Sequence, residues 1–317
     1  MTAKLPAVSV VIPTYGRAAL VQEAVASALA QTYTDIEIIV VDDGSPDNTE
    51  SVLQSLAGAE RIRNIRQANA GPAAARNRGL REARGKWVAF LDDDDLFEPD
   101  KLEKQLALAE REPEARFIHS DFRKFSADTP DLGVRETSWF SGNVYPEILA
   151  HWSTLMASPC VMVRRDVFGE VGEFDESLKW AEELDLWRRI ARVYPFFHVP
   201  EPLTKVRQQT VSLSSDRSRA AAAYRIMLDK AFADDAALGE VFRRRALAAM
   251  YTNVSHNLLG EGGAAEMRQA RGFARTALGF RPLDAGAWAG LAASFVPRGL
   301  RGRLARVVRQ LRFRKSG

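Results

Sequence analysis

Four consecutive carboxylates, Asp92-Asp93-Asp94-Asp95, follow the apolar run Trp87–Leu91 and precede Pro99. Adjacent carboxylates repel one another, so such a cluster needs cations or hydrogen-bond donors to compensate it. A turn that only caps the next helix needs one Asp, not four. Oxygen-only ligands favour Mg²⁺ or Mn²⁺, ions that bridge protein carboxylates to substrate phosphates. A second acidic pair, Asp42-Asp43, ends another apolar run and leads into Gly44-Ser45. A carboxylate accepts hydrogen bonds only, so it can pair with the ring N–H of uracil, thymine or guanine and not with the unprotonated N3 of cytosine. An Asp-Gly turn with a helix cap accounts for the same four residues locally.

Arg76 stands about one turn into a segment that opens Gly71-Pro72 and is crowded with alanine. A guanidinium there suits a diphosphate, and a surface salt bridge would account for it equally well. The pair Glu182-Glu183 enters a helical pattern whose apolar stripe is Leu184, Trp187, Ile190 and Ala191. At about 100° per residue Glu183 falls on the Trp187/Ile190 side and Glu182 nearly opposite. An inward carboxylate beside aromatics has a raised pKa and suits a general base. Acidic residues at a helix N-terminus also complement its dipole, which accounts for Glu182 and Asp185.

The elements that position these residues follow from periodicity. Apolar runs at residues 8–12 and 36–41, and Trp87–Leu91, alternate with helical patterns over 19–31, 48–56, 72–83 and 99–111, with a short strand at 61–66. Runs apolar on both faces imply a parallel sheet covered by helices, and ligands of such sheets bind at the carboxyl ends of the strands. The expected fold class is therefore α/β, an open, mostly parallel sheet flanked by helices. A helix is expected from Ala181 to Arg192. Beyond Ser214 the composition turns to Ala, Arg and Leu with helical spacing, broken at residues 260–263 and at Arg281-Pro282, which predicts an all-helical appendage. The expected division is 1–214, with a nucleotide-binding half over 6–115 and an acceptor-side half over 116–214, and then 215–317.

Composition excludes several classes. With 46% apolar and 27% charged residues the chain is in the globular range. No apolar stretch is long enough to cross a bilayer, and the first residues lack a secretory pattern, so a cytoplasmic protein is expected. The single cysteine, Cys160, cannot form an internal disulfide. The net charge of +3 hides an asymmetry: residues 298–317 carry eight basic side chains and no acidic one, leaving 36 basic against 41 acidic before them. Basic charge confined to a tail does not pave a nucleic-acid surface. In that tail Leu300, Leu304, Val307, Val308 and Leu311 recur at helical spacing among arginines. Such a basic amphipathic helix suits the interface of an anionic membrane, or packs its stripe on the preceding helices.

Taken together the motifs resemble glycosyltransferase family 2, with the GT-A fold. The resemblance is carried by Val10-Val-Ile-Pro13-Thr14-Tyr15-Gly-Arg17, Gln31-Thr32-Tyr33, Val41-Asp-Asp-Gly-Ser45, Asn69-x-Gly71 with Ala75-Arg76-Asn77-x-Gly79, Phe90-Leu-Asp-x-Asp-Asp95 and Gly172-x-Phe-Asp-Glu176 leading into Glu182-Glu-x-Asp-Leu-Trp187. It spans roughly residues 6–210. It implies an inverting transferase of sugars from a nucleoside-diphosphate donor, UDP-linked before dTDP or GDP, to a saccharide or lipid-linked acceptor, with Mn²⁺ or Mg²⁺, in polysaccharide biosynthesis. It places Pro13, Thr14, Tyr15, Arg17, Asp43 and Arg76 at the nucleotide. Asp94 is implied as the direct metal ligand, with Asp92 beside it or, like Asp93, on the ribose. Glu183 is implied as the base, with Glu182 the alternative.

Two residues depart from the family pattern. The base is usually the Asp of a Glu-Asp pair, whereas Glu183 is about one methylene longer. Many members also complete the metal site with a His after Tyr-Arg, where this chain reads Val206-Arg207-Gln208-Gln209 and Gln209 is a weaker ligand. Those departures keep a non-catalytic nucleotide-sugar binding protein as an alternative. Nucleotidyl transfer is the weaker one, because the first turn, Pro13-Thr-Tyr-Gly-Arg17, is not the Gly-rich loop it would need.

Overall fold

The computed structural model describes residues 5–56, 58, 61–126, 128–132, 135–136, 140–150, 157–208, 217–261 and 263–296. The chain separates into two compact units, one of Met1–Tyr145 with Thr154–Val211 and one of Pro146–Ser153 with Ser212–Gly317.

The first unit begins with β1 (Val8–Thr14), α1 (Ala18–Leu29), β2 (Ile36–Asp42), α2 (Thr49–Ser55), β3 (Ile62–Arg66), α3 (Pro72–Glu82) and β4 (Trp87–Phe90). β1 pairs in parallel with β2 and β4, and β2 with β3. All of β1 and β4 is buried, as continuous apolar runs require of a strand covered on both faces. Pro72 occupies the first turn of α3 after Gly71, whose φ of 97° only glycine adopts without strain. Gly79 brings α3 down onto the sheet: a Cβ there would lie 2.3 Å from Val11 Cγ1.

Beyond β4 the chain forms β5 (Leu96–Phe97), α4 (Lys101–Arg111), β6 (Phe117–Phe125), β7 (Arg135–Glu136), β8 (Val161–Arg164), α5 (Val167–Val171), α6 (Glu182–Ala191) and β9 (Phe196–Arg207). The nine-stranded sheet runs β3-β2-β1-β4-β8-β6-β9-β5, with β7 on β6. It is parallel over β1 to β4 and mixed beyond, since β8 is antiparallel to both β4 and β6 while β6 and β9 are parallel. Its core joins Val10, Ile12, Ile38, Val40, Ala89 and Leu91 from the strands to Val21, Val25 and Leu102 from the helices. β5 is too short to leave a periodic signal and lies inside the stretch read as an acidic turn and helix start.

The second unit holds α7 (Arg217–Asp234), α8 (Glu240–Glu261), α9 (Ala264–Phe280) and α10 (Ala285–Ala293). Helices end where the sequence breaks at residues 260–263 and at Arg281-Pro282. Ala221, Val254, Leu258, Met267, Ala270 and Ala293 form its core, and Ser255 Oγ donates to Ala270 O at 2.8 Å. Among the described residues no helix is long and apolar enough to cross a membrane.

Candidate active site

Parallel register brings the carboxyl ends of β1, β2 and β4 to one edge, with Thr14 opposite Asp42. Asp42 is fully buried and structural: its Oδ1 accepts from Ser45 N at 2.7 Å and its Oδ2 from Arg66 at 2.8 Å. Asp43 is different. Its Oδ1 accepts from Gln67 Nε2 and Ala70 N at 2.8 and 2.9 Å, and its Oδ2 from Gly71 N at 2.8 Å. An ionised carboxylate has about four acceptor positions, so three bonds fix its plane and leave one position on Oδ2 for a ligand N–H. Pro13 is buried at the end of β1, and Tyr15, 50% exposed, stands at the start of the turn that follows.

Each of the four adjacent carboxylates has a donor. Arg76 donates to Asp92 Oδ1 at 2.7 Å, and Thr14 Oγ1 to Asp93 Oδ2 at 2.8 Å. One nitrogen of Arg17 bridges Asp93 Oδ1 and Asp94 Oδ2 at 3.0 and 3.1 Å. Arg207 N donates to Asp95 Oδ1 at 2.8 Å and Arg207 Nε to Asp94 O at 2.9 Å, tying the end of β9 to the acidic turn. Negative charge is still in excess. Burial pushes Asp93 up to about 6 against the pull of Arg17 and Thr14. Asp94 is raised by burial and by the Asp92 charge, and Asp95 is raised well above the usual range by burial and by Asp92 and Asp94.

These residues fit a hard divalent cation. Asp92 and Asp94 keep 28% and 21% of their side chains exposed, whereas Asp93 and Asp95 are buried. The donor set is oxygen only, and mutual repulsion of two half-exposed carboxylates is what a cation relieves. Among the described residues no group of three or more His, Cys, Asp or Glu forms a ready cage, and Mg²⁺-type ions ordinarily take one or two carboxylates and draw further oxygens from a phosphate. Arg76 Nε, buried and without a hydrogen-bond partner, adds a donor with no protein acceptor. Gln209 lies outside the described residues, as does the tail 298–317.

Arg76 joins this edge to α6. Its NH1 meets Glu182 Oε1 at 3.0 Å and its NH2 lies 3.4 Å from Glu183 Oε1. Burial lowers the Arg76 pKa, but Asp92, Glu183 and Glu182 together raise it above that of an ordinary arginine. Glu183 is pushed up to about 7, by burial first, with Arg76 pulling it down and Asp92 and Glu182 pushing it further up. The helical-face expectation needs correcting at Glu182, which also turns to Arg76. Ala181, at φ 62° in the left-handed region, bends the chain into the first turn of α6, where both long side chains reach one guanidinium. The buried face is also wider than the apolar stripe. Leu186, Trp187 and Ile190 are fully buried, Leu184 is only partly so, and Asp185 is buried through Arg188 and Arg189 at 2.8 and 2.9 Å. Trp187 packs edge-on to Phe117 and Phe174, and Asn77 bonds both Phe174 O and Phe174 N at 2.9 Å.

Sequence reasoning missed Ser158, Gln67 and the backbone role of Arg207. Ser158 Oγ donates to Glu183 Oε1 at 2.5 Å from a 3-10 turn over Ser158–Cys160 that leads into β8. No spacing rule marks a serine in a turn, and only the antiparallel return of β8 beside β4 brings it to this edge.

The model of the family described as "Glycosyl transferase family 2" matches residues 9–172. An uncharacterized glycosyltransferase of Rickettsia felis is 38% identical over 200 residues, which are 63% of this chain and 33% of that protein. The chain thus spans about a third of the length of the Rickettsia relatives it first matches. The putative teichuronic acid biosynthesis glycosyltransferase TuaG of Bacillus subtilis is 31% identical over 226 residues, 70% of this chain and 86% of that one. Among solved structures, S. aureus TarS 1-349 in complex with UDP-GlcNAc covers 95% of this chain and 87% of its own at a TM-score of 0.63 and 19% identity. The mannosyltransferase PcManGT of Pyrobaculum calidifontis, in complex with GDP-Man and Mn²⁺, covers 93% and 88% at a TM-score of 0.56 and 18% identity. These two likenesses concern the fold, which is GT-A. Together with the acidic strand ends and the Arg76-linked glutamates, the family match over more than half the chain means that this protein belongs to glycosyl transferase family 2.

Proposed function

We propose that the chain transfers a sugar from a nucleoside-diphosphate donor to an acceptor hydroxyl with inversion, in polysaccharide or glycan biosynthesis. One observation carries this reading: a single guanidinium, Arg76, links the acidic turn to Glu183, whose carboxyl is raised to about 7 by burial. A donor-holding edge and a general base are thereby fixed to one another. UDP-GlcNAc and GDP-Man in the two solved relatives support the donor class, and the remaining acceptor position on Asp43 favours a base with a ring N–H, uracil first.

Asp43 and Tyr15 hold the base, Pro13 and Thr14 shape the floor beside it, and Asp93 and Asp92 face the ribose. Arg17 gives up a carboxylate partner for the diphosphate, and Arg76 meets it through its unpartnered Nε while keeping Asp92, Glu182 and Glu183. Asp94 with Asp92 would hold a divalent cation, which would supply Lewis-acid charge for the leaving diphosphate. Glu183 takes the proton of the acceptor hydroxyl as that oxygen bonds to the anomeric carbon. The bond from that carbon to the diphosphate oxygen breaks on the opposite face, and its electron pair leaves with the diphosphate. Glu182 stays on Arg76 and holds its orientation. Nucleoside-diphosphate release that needs Mn²⁺ or Mg²⁺ and stops in excess EDTA is the expected result; full turnover in EDTA contradicts the metal.

The basic tail 298–317 is proposed to dock on an anionic membrane at the cytoplasmic face, where a lipid-linked acceptor would be presented. Beside it in sequence, α10 and the short segment after it expose Trp288 and Phe295, at 54% and 66%, the aromatic type that anchors at lipid interfaces.

A further inference from the structure

The Ser158–Cys160 turn is held more firmly than a connection requires. Thr204 Oγ1 donates to Pro159 O and Gln105 Nε2 to Cys160 O, each at 3.0 Å, and all five residues are buried. Gln105 in turn accepts from Lys101 Nζ at 2.6 Å, a fully buried lysine whose ammonium lies 4.5 Å from the centre of the Phe97 ring. Burial lowers Lys101 to about 7 and raises the Cys160 thiol to about 12. A buried polar network is costly, and once satisfied it rigidifies what it touches. Here the rigid object is Ser158, fully buried, with its hydroxyl on Glu183.

One hydrogen bond and one ion pair converge on a single atom of Glu183. Ser158 Oγ and Arg76 NH2 both address Oε1, at 2.5 and 3.4 Å. The terminal torsion of a glutamate is broad and roughly two-fold, so a carboxylate without anchors presents either oxygen over a wide range of angles. We infer that Ser158 is a positioning residue, which with Arg76 pins Glu183 Oε1 so that Oε2 is the oxygen turned to the acceptor hydroxyl. The inference rests on Glu183 being the base.

The test compares wild type, Ser158→Ala, Ser158→Thr and Glu183→Gln, reading nucleoside diphosphate released to water with Mn²⁺ from whichever of UDP-GlcNAc, GDP-mannose or a dTDP-sugar the wild type consumes fastest. Ser158→Ala is expected to lower kcat about tenfold with donor KM within about twofold, because donor contacts are untouched and only aim is lost. Ser158→Thr keeps the hydroxyl and recovers most of kcat. An unchanged kcat in Ser158→Ala, or equal losses in the Ala and Thr variants with a raised KM, overturns the inference. Should Ser158→Ala fail to fold, Ser158→Cys, with similar volume and a weak donor, must show the same kcat-only loss, and a wild-type kcat there overturns it. Full turnover by Glu183→Gln, or no turnover by wild type on all three donors, instead removes the parent reading, and the inference falls with it. A silent Glu183→Gln beside an unaffected Ser158→Ala marks failure of the inference alone.

Discussion

The proposed chemistry at this edge rests on Glu183, whose carboxyl is raised above the unfolded value of about 4.3 to about 7 by burial. A base works only when unprotonated, so kcat is expected to rise with pH and reach half its plateau near pH 7; a plateau already reached at pH 5 would contradict the assignment. The same shift has a stability consequence. A folded-state pKa above the unfolded one means that the native state binds the proton more tightly, so this stabilisation is present below pH 4 and lost as pH rises through 7. Glu183→Gln should therefore have a higher Tm than wild type at pH 8, with a smaller gain at pH 5. A lower Tm at both pH values would show that the Arg76 pairing outweighs burial. At Asp43 the acceptor-only chemistry of a carboxylate is legible in the sequence, because it is independent of fold. Which acceptor positions remain open became visible only with Gln67, Ala70 and Gly71 around it.

At the scale of elements, the N-terminal strands and helices were legible because each carries a full period of pattern: β1 and β2 are largely apolar runs broken by Ser9 and Glu37, and α3 opens with Gly71-Pro72. α6 and the breaks between the C-terminal helices were legible too, whereas the mixed half of the sheet was not, for physical reasons. β5 has two residues, β8 four, and β8 joins the sheet antiparallel through pairings with β4 and β6 that lie far from it in sequence. Local pattern carries no trace of such partners. Glu182 was misplaced for a related reason: helical angles were measured from an ideal axis, and the left-handed Ala181 with two flexible side chains moves the carboxylate off it. Packing of α3 on β1 is expected to be intolerant at Gly79. Gly79→Ala puts a methyl 2.3 Å from Val11 Cγ1, and should cost about 1–3 kcal/mol as overpacking, measured by denaturant unfolding. A neutral result would show that the helix can lift without loss.

For the whole molecule, the basic charge is concentrated at one end of the sequence, where membrane docking is proposed. The body carries the site and the last twenty residues carry eight basic side chains. Deleting 298–317 is expected to abolish sedimentation with anionic vesicles while leaving donor affinity unchanged, and salt well above 0.15 M, where the screening length falls below about 8 Å, should release the intact protein reversibly. Retained vesicle binding after the deletion would assign attachment elsewhere. The central claim, a donor-holding acidic edge coupled through Arg76 to a base on α6, is tested most directly by one comparison: nucleoside diphosphate released from UDP-, GDP- and dTDP-sugars with Mn²⁺ by wild type and by Glu183→Gln, with donor binding to both measured by calorimetry. The account predicts release by wild type alone and equal donor affinity for the two proteins; release at the wild-type rate by Glu183→Gln, or no donor bound by either, would contradict it.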